Sequence, residues 1–416
     1  MTTFLTKRSK TRVVPLAVYV LCFNIVTLGT TEFVIAGLLP DLARDFDVSI
    51  PRAGLLVSGF AVGMAVGAPV LAVLTLRLPR RSTLLAALGV FAASHALAAI
   101  AWSYESLMVA RIVAAVSTGA FWAVAAVVTI GLVDASVRAR AIAVLIGGLT
   151  VANVLGVPLG TYVGQQLGWR TTFWALGVLA LVGAVAVWRV LPTDGGVASS
   201  TGVRSELATF RAPRLWLALA TTALFQTAVM GWFAYLAPLL TDVADVPRSW
   251  VPVVLTMFGV GCLIGVQIGG RFADARPWRT LYASLTMLTL GLALVAWTAH
   301  HAVALSLMVF LVGVAAFTAG APLNHRVLGL AGPAPTLASA TNVAAFNVGN
   351  TLGPWLGGVT IAAGLGYVAP AVLGAAVAVG ALALALLSRE LDGDGFAFRR
   401  TRAEVDGGEP VACATT

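Results

Sequence analysis

Runs of about twenty apolar residues, each closed by charge or by Pro and Gly, recur along the whole chain, with spacing set by helix rise and bilayer thickness. Twelve are read on the span-length criterion, at roughly 14–39, 53–76, 83–102, 107–132, 141–164, 171–191, 215–240, 251–272, 280–299, 302–324, 337–362 and 367–388. Each is continuous, so each is predicted to be a helix that satisfies its own backbone in lipid. A barrel would show short alternating strands instead. Lys7, Arg8, Lys10 and Arg12 precede the first run as in a signal peptide. That run is span-length and has no small-residue cleavage site, which makes it a retained first helix.

Composition agrees with that pattern: with 59% hydrophobic and 10% charged residues over 416 positions, the chain is too apolar for a soluble domain. The expected fold class is an all-α polytopic membrane protein with twelve transmembrane helices. Basic residues crowd into alternate loops and both tails. Only Arg44, Arg52, Arg170 and Arg248 fall in the other loops, and Arg111 lies within a span. This asymmetry predicts that both termini are cytoplasmic, and it assigns the net charge of +9 to orientation and contact with anionic membrane lipids, with no nucleic-acid partner. Cys22, Cys262 and Cys413 show no disulfide or metal spacing, so they read as packing residues and no metal site is expected.

The chain also repeats itself. An offset of 198 aligns Pro40 with Pro238, Phe60 with Phe258, Gly63 with Gly261, Gly67 with Gly265 and Arg81 with Arg279. At 197, the stretch Asn153 to Gly160 aligns with Asn350 to Gly357. Six helices per copy keep both copies in one orientation, giving two pseudo-symmetric six-helix bundles about an axis along the membrane normal. The expected organisation is an N-terminal bundle over 1–191, a cytoplasmic linker over 192–214, a C-terminal bundle over 215–388 and a polar cytoplasmic tail without regular structure over 389–416.

Against that background one carboxylate is anomalous. Of 17 acids, Glu32 is the one set well inside a span, and charge in hydrocarbon is costly enough to make it a proton-site hypothesis. Arg111 lies at a similar depth from the same side, so a Glu32–Arg111 interaction is expected, with bonding of Arg111 to backbone carbonyls or Asp41 as the alternative. Further candidates to line a cavity and touch substrate are Asn24, Phe121, Trp122, Gln226, Trp232 and Tyr235, the aromatics serving either as stacking surfaces or as packing. Asn342, Asn347 and Asn350 on the eleventh span are also polar candidates. Gly156, Pro158 and Gly160, and their counterparts Gly353, Pro354 and Gly357, are expected either to pack helices tightly or to form a pivot and seal between the halves. No nucleotide loop, catalytic triad or metal cluster is present in the sequence, so neither an enzyme nor an ATP-driven pump is expected.

Four stretches resemble the major facilitator superfamily, and within it the twelve-helix drug:proton antiporters: Gly29-Thr-Thr-Glu-Phe through Leu39-Pro40, Arg111, Gly156-Val-Pro-Leu-Gly160 and Gly168-Trp-Arg-Thr-Thr-Phe173. The strings Gly119-Ala-Phe-Trp-Ala-Val-Ala and Thr75-Leu-Arg-Leu-Pro-Arg-Arg are similar to those of actinobacterial chloramphenicol exporters. The resemblance covers all twelve spans. It implies a monomer in the bacterial inner membrane that uses the proton gradient, with no cofactor, to export a small apolar drug, chloramphenicol or a related phenicol. Sugar or nucleoside efflux, a non-transporting sensor and import by symport are its rivals. The chain departs from the family where an aspartate usually latches the loop between spans two and three. Leu76 and Pro79 stand there, so any latch would rest on Asp274 with Arg271 or Arg276, unless these are ordinary solvated loop charges. His95 is on a helix that is usually peripheral in this family, which favours a simple hydrogen-bonded histidine over a proton relay.

Overall fold

The computed structural model describes residues 14–74, 78–192, 213–273, 275–330 and 335–406. Twelve helices cross the fold: α1 (Leu16–Asp45), α2 (Ile50–Leu74), α3 (Arg80–Ala99), α4 (Tyr104–Leu132), α5 (Arg138–Leu167), α6 (Trp169–Val190), α7 (Pro213–Asp242), α8 (Val251–Ala273), α9 (Pro277–Trp297), α10 (Ala302–Leu330), α11 (Pro335–Thr360) and α12 (Ala369–Asp406). Eleven of them are long and apolar enough to cross a membrane among the described residues, and α11 completes the set. The chain is thus a multi-pass helical membrane protein, as its apolar runs require.

The internal repeat is visible in the backbone. Asp47 and Asp245, 198 apart, are the two non-glycine residues with left-handed φ among the described residues (50° and 52°), each just beyond the first helix of its half. Gly168 and Gly366, also 198 apart, have φ of 88° and 76° at the break between the fifth and sixth helix of each half, where a side chain would be strained. Aligned glycines do the same work in both copies. A Cβ on Gly67 would come within 2.8 Å of the Val116 Cα on α4, and one on Gly265 within 2.5 Å of the Val314 carbonyl on α10. Small residues therefore bring α2 onto α4 and α8 onto α10.

Prolines bend the helices where their missing N–H and bulky ring disturb the turn before them. A π-turn at Ala152–Gly156 precedes Pro158 in α5, and α7 breaks at Ala234–Tyr235 ahead of Pro238. Two ends differ from expectation. Helix α10 runs on to Leu330, because Arg326 stacks on Trp278 at 4.2 Å and bonds Ser388, anchoring what the sequence marks as a loop. Helix α12 continues to Asp406 instead of losing regular structure at Arg389, since extending an existing helix needs no new nucleus. Of the linker expected over 192–214, residues 193–212 lie outside the described residues, as do the last ten residues of the chain, and 213–214 open α7.

The two halves meet along α2 with α11 and α5 with α8. Helix α5 engages α8 mainly through Ala152–Leu167, hardly through its first fourteen residues, and α1 meets α7 through Leu236–Asp242. Arg248 pairs with Asp41 across this seam, Phe33 packs edge-on against Phe233 at 6.2 Å, and Ser58 donates to the Thr351 carbonyl at 2.8 Å. The halves are therefore closed at the end where α1 stops and part towards the end where it begins.

Candidate functional site

Halfway along α1, two adjacent residues send polar groups in different directions. Thr31 faces its own half. Arg111 Nη1 donates to the Thr31 carbonyl at 2.7 Å and to its hydroxyl at 3.1 Å, and the guanidinium lies 4.3 Å over the Phe60 ring. The start of α4 is fixed by a capping box between Ser103 and Ser106, with Tyr104 bonding the Arg52 carbonyl, which sets the depth of Arg111 two turns further on. The Thr31 hydroxyl is also 2.8 Å from His95 Nε2, while His95 Nδ1 is 2.8 Å from the Phe91 carbonyl. A carbonyl only accepts, so Nδ1 carries the proton and, in the neutral ring, Nε2 accepts from Thr31. The result is one directional chain, Arg111 to Thr31 to His95 to the Phe91 carbonyl, with Arg111 and His95 each 1% exposed.

Glu32 faces the other half. Its Oε1 accepts from Asn350 Nδ2 at 3.2 Å, and Asn350 Oδ1 accepts from Gln226 Nε2 at 2.7 Å. The carboxylate lines a pocket of about 10 Å³ with Phe33, Val57, Phe60, Ala61, Met230 and Asn350. Asn350 was only one of several polar candidates in the sequence, and nothing in the linear pattern pairs it with an acid 318 residues away. A larger apolar cavity of about 410 Å³, between α2, α3 and α4, has Leu71, Val90, Val116 and Ala120 among its walls and does not reach Glu32.

Several expected placements change. Arg111 does not pair with Glu32 but bonds the Thr31 carbonyl, the alternative held open in sequence, and Asp41 is taken by Arg248 and Arg44. Asn24 does not line a shared cavity with Glu32. It is fully buried, donates to the Val20 carbonyl and fills the space at Gly183 on α6, because eight residues at about 100° each leave it about 80° round the helix from Glu32. Phe121 is fully buried in the core of the first half, with Trp122 partly buried against that core. Trp232 and Tyr235 are each 1% exposed. Trp232 packs on Phe233 and Phe258, and Tyr235 is a wedge whose hydroxyl donates to the Pro354 carbonyl at 2.7 Å and lies against Gly54 of α2. Of the substrate candidates, Gln226 and Trp122 keep partial exposure.

The motif glycines pack within each half instead of sealing the halves together. Gly156 and Gly160 face Thr30 and Val34 on α1, and Gly353 and Gly357 face Gly231 and Tyr235 on α7, since backbones this close tolerate no side chain. The contact between halves at α5 comes from the other partner, Gly259 of α8, lying on Asn153 and Val154 in the π-turn before Pro158. Asp274 and Leu76 lie outside the described residues; Arg271 is exposed and makes no ion pair among them. The resemblance segment from Gly168 has a structural role here: Trp169 Nε1 and Arg170 Nη1 both bond Asp45 Oδ2, at 3.1 and 2.5 Å, tying α6 to the end of α1.

Comparison with known proteins agrees with this architecture. The family model described as Major Facilitator Superfamily matches residues 21–345. A chloramphenicol resistance protein of Streptomyces lividans is 42% identical over 359 residues, 86% of this chain and 92% of that protein. The inner membrane transport protein YdhP of Escherichia coli (strain K12) is 38% identical over 361 residues, 87% of this chain and 92% of its own length. In fold, a bacterial homologue of the human lysosomal transporter Spinster, crystallised inward-facing and unoccupied, superposes with a TM-score of 0.72 at 16% identity, covering 95% of this chain and 98% of the other.

Proposed function

Because this chain belongs to the Major Facilitator Superfamily and is a transporter, not an enzyme, we propose that it is a proton-coupled antiporter that exports a small, largely apolar drug, with chloramphenicol or a related phenicol as the leading substrate. The observation that carries the proposal is the position of Glu32: a carboxylate in mid-span, at the seam of the two halves, bonded to the opposite half through Asn350. An acid placed there feels any change in how the halves meet. The name of the Streptomyces relative supports the phenicol assignment.

In the proposed cycle the drug enters from the cytoplasm or inner leaflet between the halves where they part, and the halves rock about the π-turn of α5 and Gly259. A proton from outside then takes Glu32, the drug leaves, and return of the closed end releases the proton inward. The cycle needs only the proton gradient. Drug and proton must each favour a different state, since a ligand that binds both equally shifts nothing. One acid matches one proton per drug, so export of a neutral drug would move one charge per cycle. Basic loops put both termini in the cytoplasm, and the protein works as a monomer in the bacterial inner membrane. Sugar or nucleoside efflux would call for several free amide or hydroxyl groups around the cavity; Asn24 is turned away and Gln226 is committed to Asn350.

The test is chloramphenicol accumulation by inverted membrane vesicles under an inside-acid gradient, for the wild type and Glu32→Gln. Gradient-dependent accumulation that disappears in the variant is expected. A variant that accumulates drug normally would remove Glu32 from the mechanism, and a wild type that accumulates none would discard the phenicol.

A further inference from the structure

A coupled exchanger must prevent its empty, unprotonated form from turning over, since that step would let protons or drug cross alone. We propose that Asn350, aimed by Gln226, is the lock that holds the empty carrier in the state described here while Glu32 is ionised. This rests on Glu32 carrying the proton and adds what prevents slip.

The geometry leaves Asn350 little choice. An ionised carboxylate only accepts, so Asn350 must present Nδ2 to Glu32, and its Oδ1 is then free for Gln226 Nε2, which is the arrangement found. Gln226 and Asn350 are both in the second half, on α7 and α11, while Glu32 is in the first. The bond at 3.2 Å therefore crosses the seam, beside the Ser58 to Thr351 bond, and must break before the halves can part at this level. The other side chains of the pocket are apolar, so no protein group there takes over the Glu32 bond. The charged group that acts on Glu32 through space is Arg111 on α4, outside the pocket lining, with its hydrogen bonds on Thr31 and its guanidinium over Phe60; the lining residues of α2, α7 and α11 carry no charge. A hydrogen bond to an ionised acceptor is roughly twice as strong as one to a neutral acceptor. Protonating Glu32 therefore loosens the tie without moving a residue, and a bound drug would have to displace it.

Proton flux into proteoliposomes containing the purified protein, with an imposed gradient and no drug, tests this whether or not chloramphenicol is the substrate. Asn350→Ala is expected to raise drug-independent proton flux several-fold over the wild type, Gln226→Leu to raise it less, and Glu32→Gln/Asn350→Ala to fall back to the level of Glu32→Gln alone. A well-folded Asn350→Ala protein, monodisperse in detergent, that leaks no more than the wild type would overturn the lock, as would a leak that survives in the double variant. If Asn350→Ala does not fold, Gln226→Leu decides by the same criterion. Failure of the underlying reading looks different: Glu32→Gln would itself still couple drug to protons.

Discussion

At equivalent places the two halves of the repeat carry different chemistry on the same scaffold. Glu32 in the first half corresponds, 198 residues on, to Met230, and both line the same small pocket. Asn153 corresponds, at 197, to Asn350. Asn153 Nδ2 folds back on its own helix to the Leu149 carbonyl at 3.0 Å, whereas Asn350 reaches across to the acid. The left-handed positions Asp47/Asp245 and Gly168/Gly366 and the packing glycines keep the twofold pattern; the breaks within α5 and α7 and the ionisable and amide groups depart from it. Symmetry thus supplies two similar bodies, and a single asymmetric pair, Glu32 with Asn350, ties them at their seam; in the proposed cycle this pair is what answers to one proton.

That contrast can be broken at its strongest point first. Glu32→Gln should abolish gradient-driven drug accumulation while the protein inserts normally, measured in vesicles at matched expression. Arg111→Ala should be nearly as severe, since it removes a buried cation and leaves the Thr31 hydroxyl without its donor; drug uptake near background is expected, with a lowered melting temperature in detergent. His95→Ala removes the acceptor at the far end of the same chain. Leaving a buried polar group unpaired costs about 1–3 kcal/mol, so a clear thermal destabilisation with partial transport is expected, and an unshifted melting curve would show that the Thr31 contact contributes nothing. Asp41→Asn should weaken the pairing with Arg248, favouring separation at the closed end, readable as longer distances between spin labels placed on α1 and α7 near that end. The smallest effect belongs to Asn24→Ala: the KM for drug should not change, because the side chain faces α6.

Much of the fold was legible because lipid allows few alternatives. An apolar run of span length must be a helix, and twelve runs with an internal offset imply two bundles. Glu32 and Arg111 stood out for the same reason, as charges where charge is costly. What could not be read was direction and partnership. Asn24 sits at a plausible depth but on the wrong face, and Phe121, ten residues after Arg111, is likewise turned about 80° into the core. His95 gains its meaning from Thr31, and Asn350 from Glu32, and both contacts depend on how distant helices are laid side by side. Of the two readings of the motif glycines, the contacts match tight packing within each half, which spacing alone could not decide, since it shows that a helix can approach closely without showing which neighbour it approaches.

The pocket beside Glu32, at about 10 Å³, also bears on which ions could use it. That is space for about one water molecule, with one carboxylate and one amide as the polar side chains of its wall. A sodium or potassium ion entering here would have to give up most of its hydration for those few ligands, whereas filters that pass such ions surround them with rings of oxygens. A proton needs only the carboxylate and a water to deliver it. If the proposed proton coupling holds, the tightness of this space would itself discriminate among ions, and enlarging it at Phe60 would be the way to relax the choice.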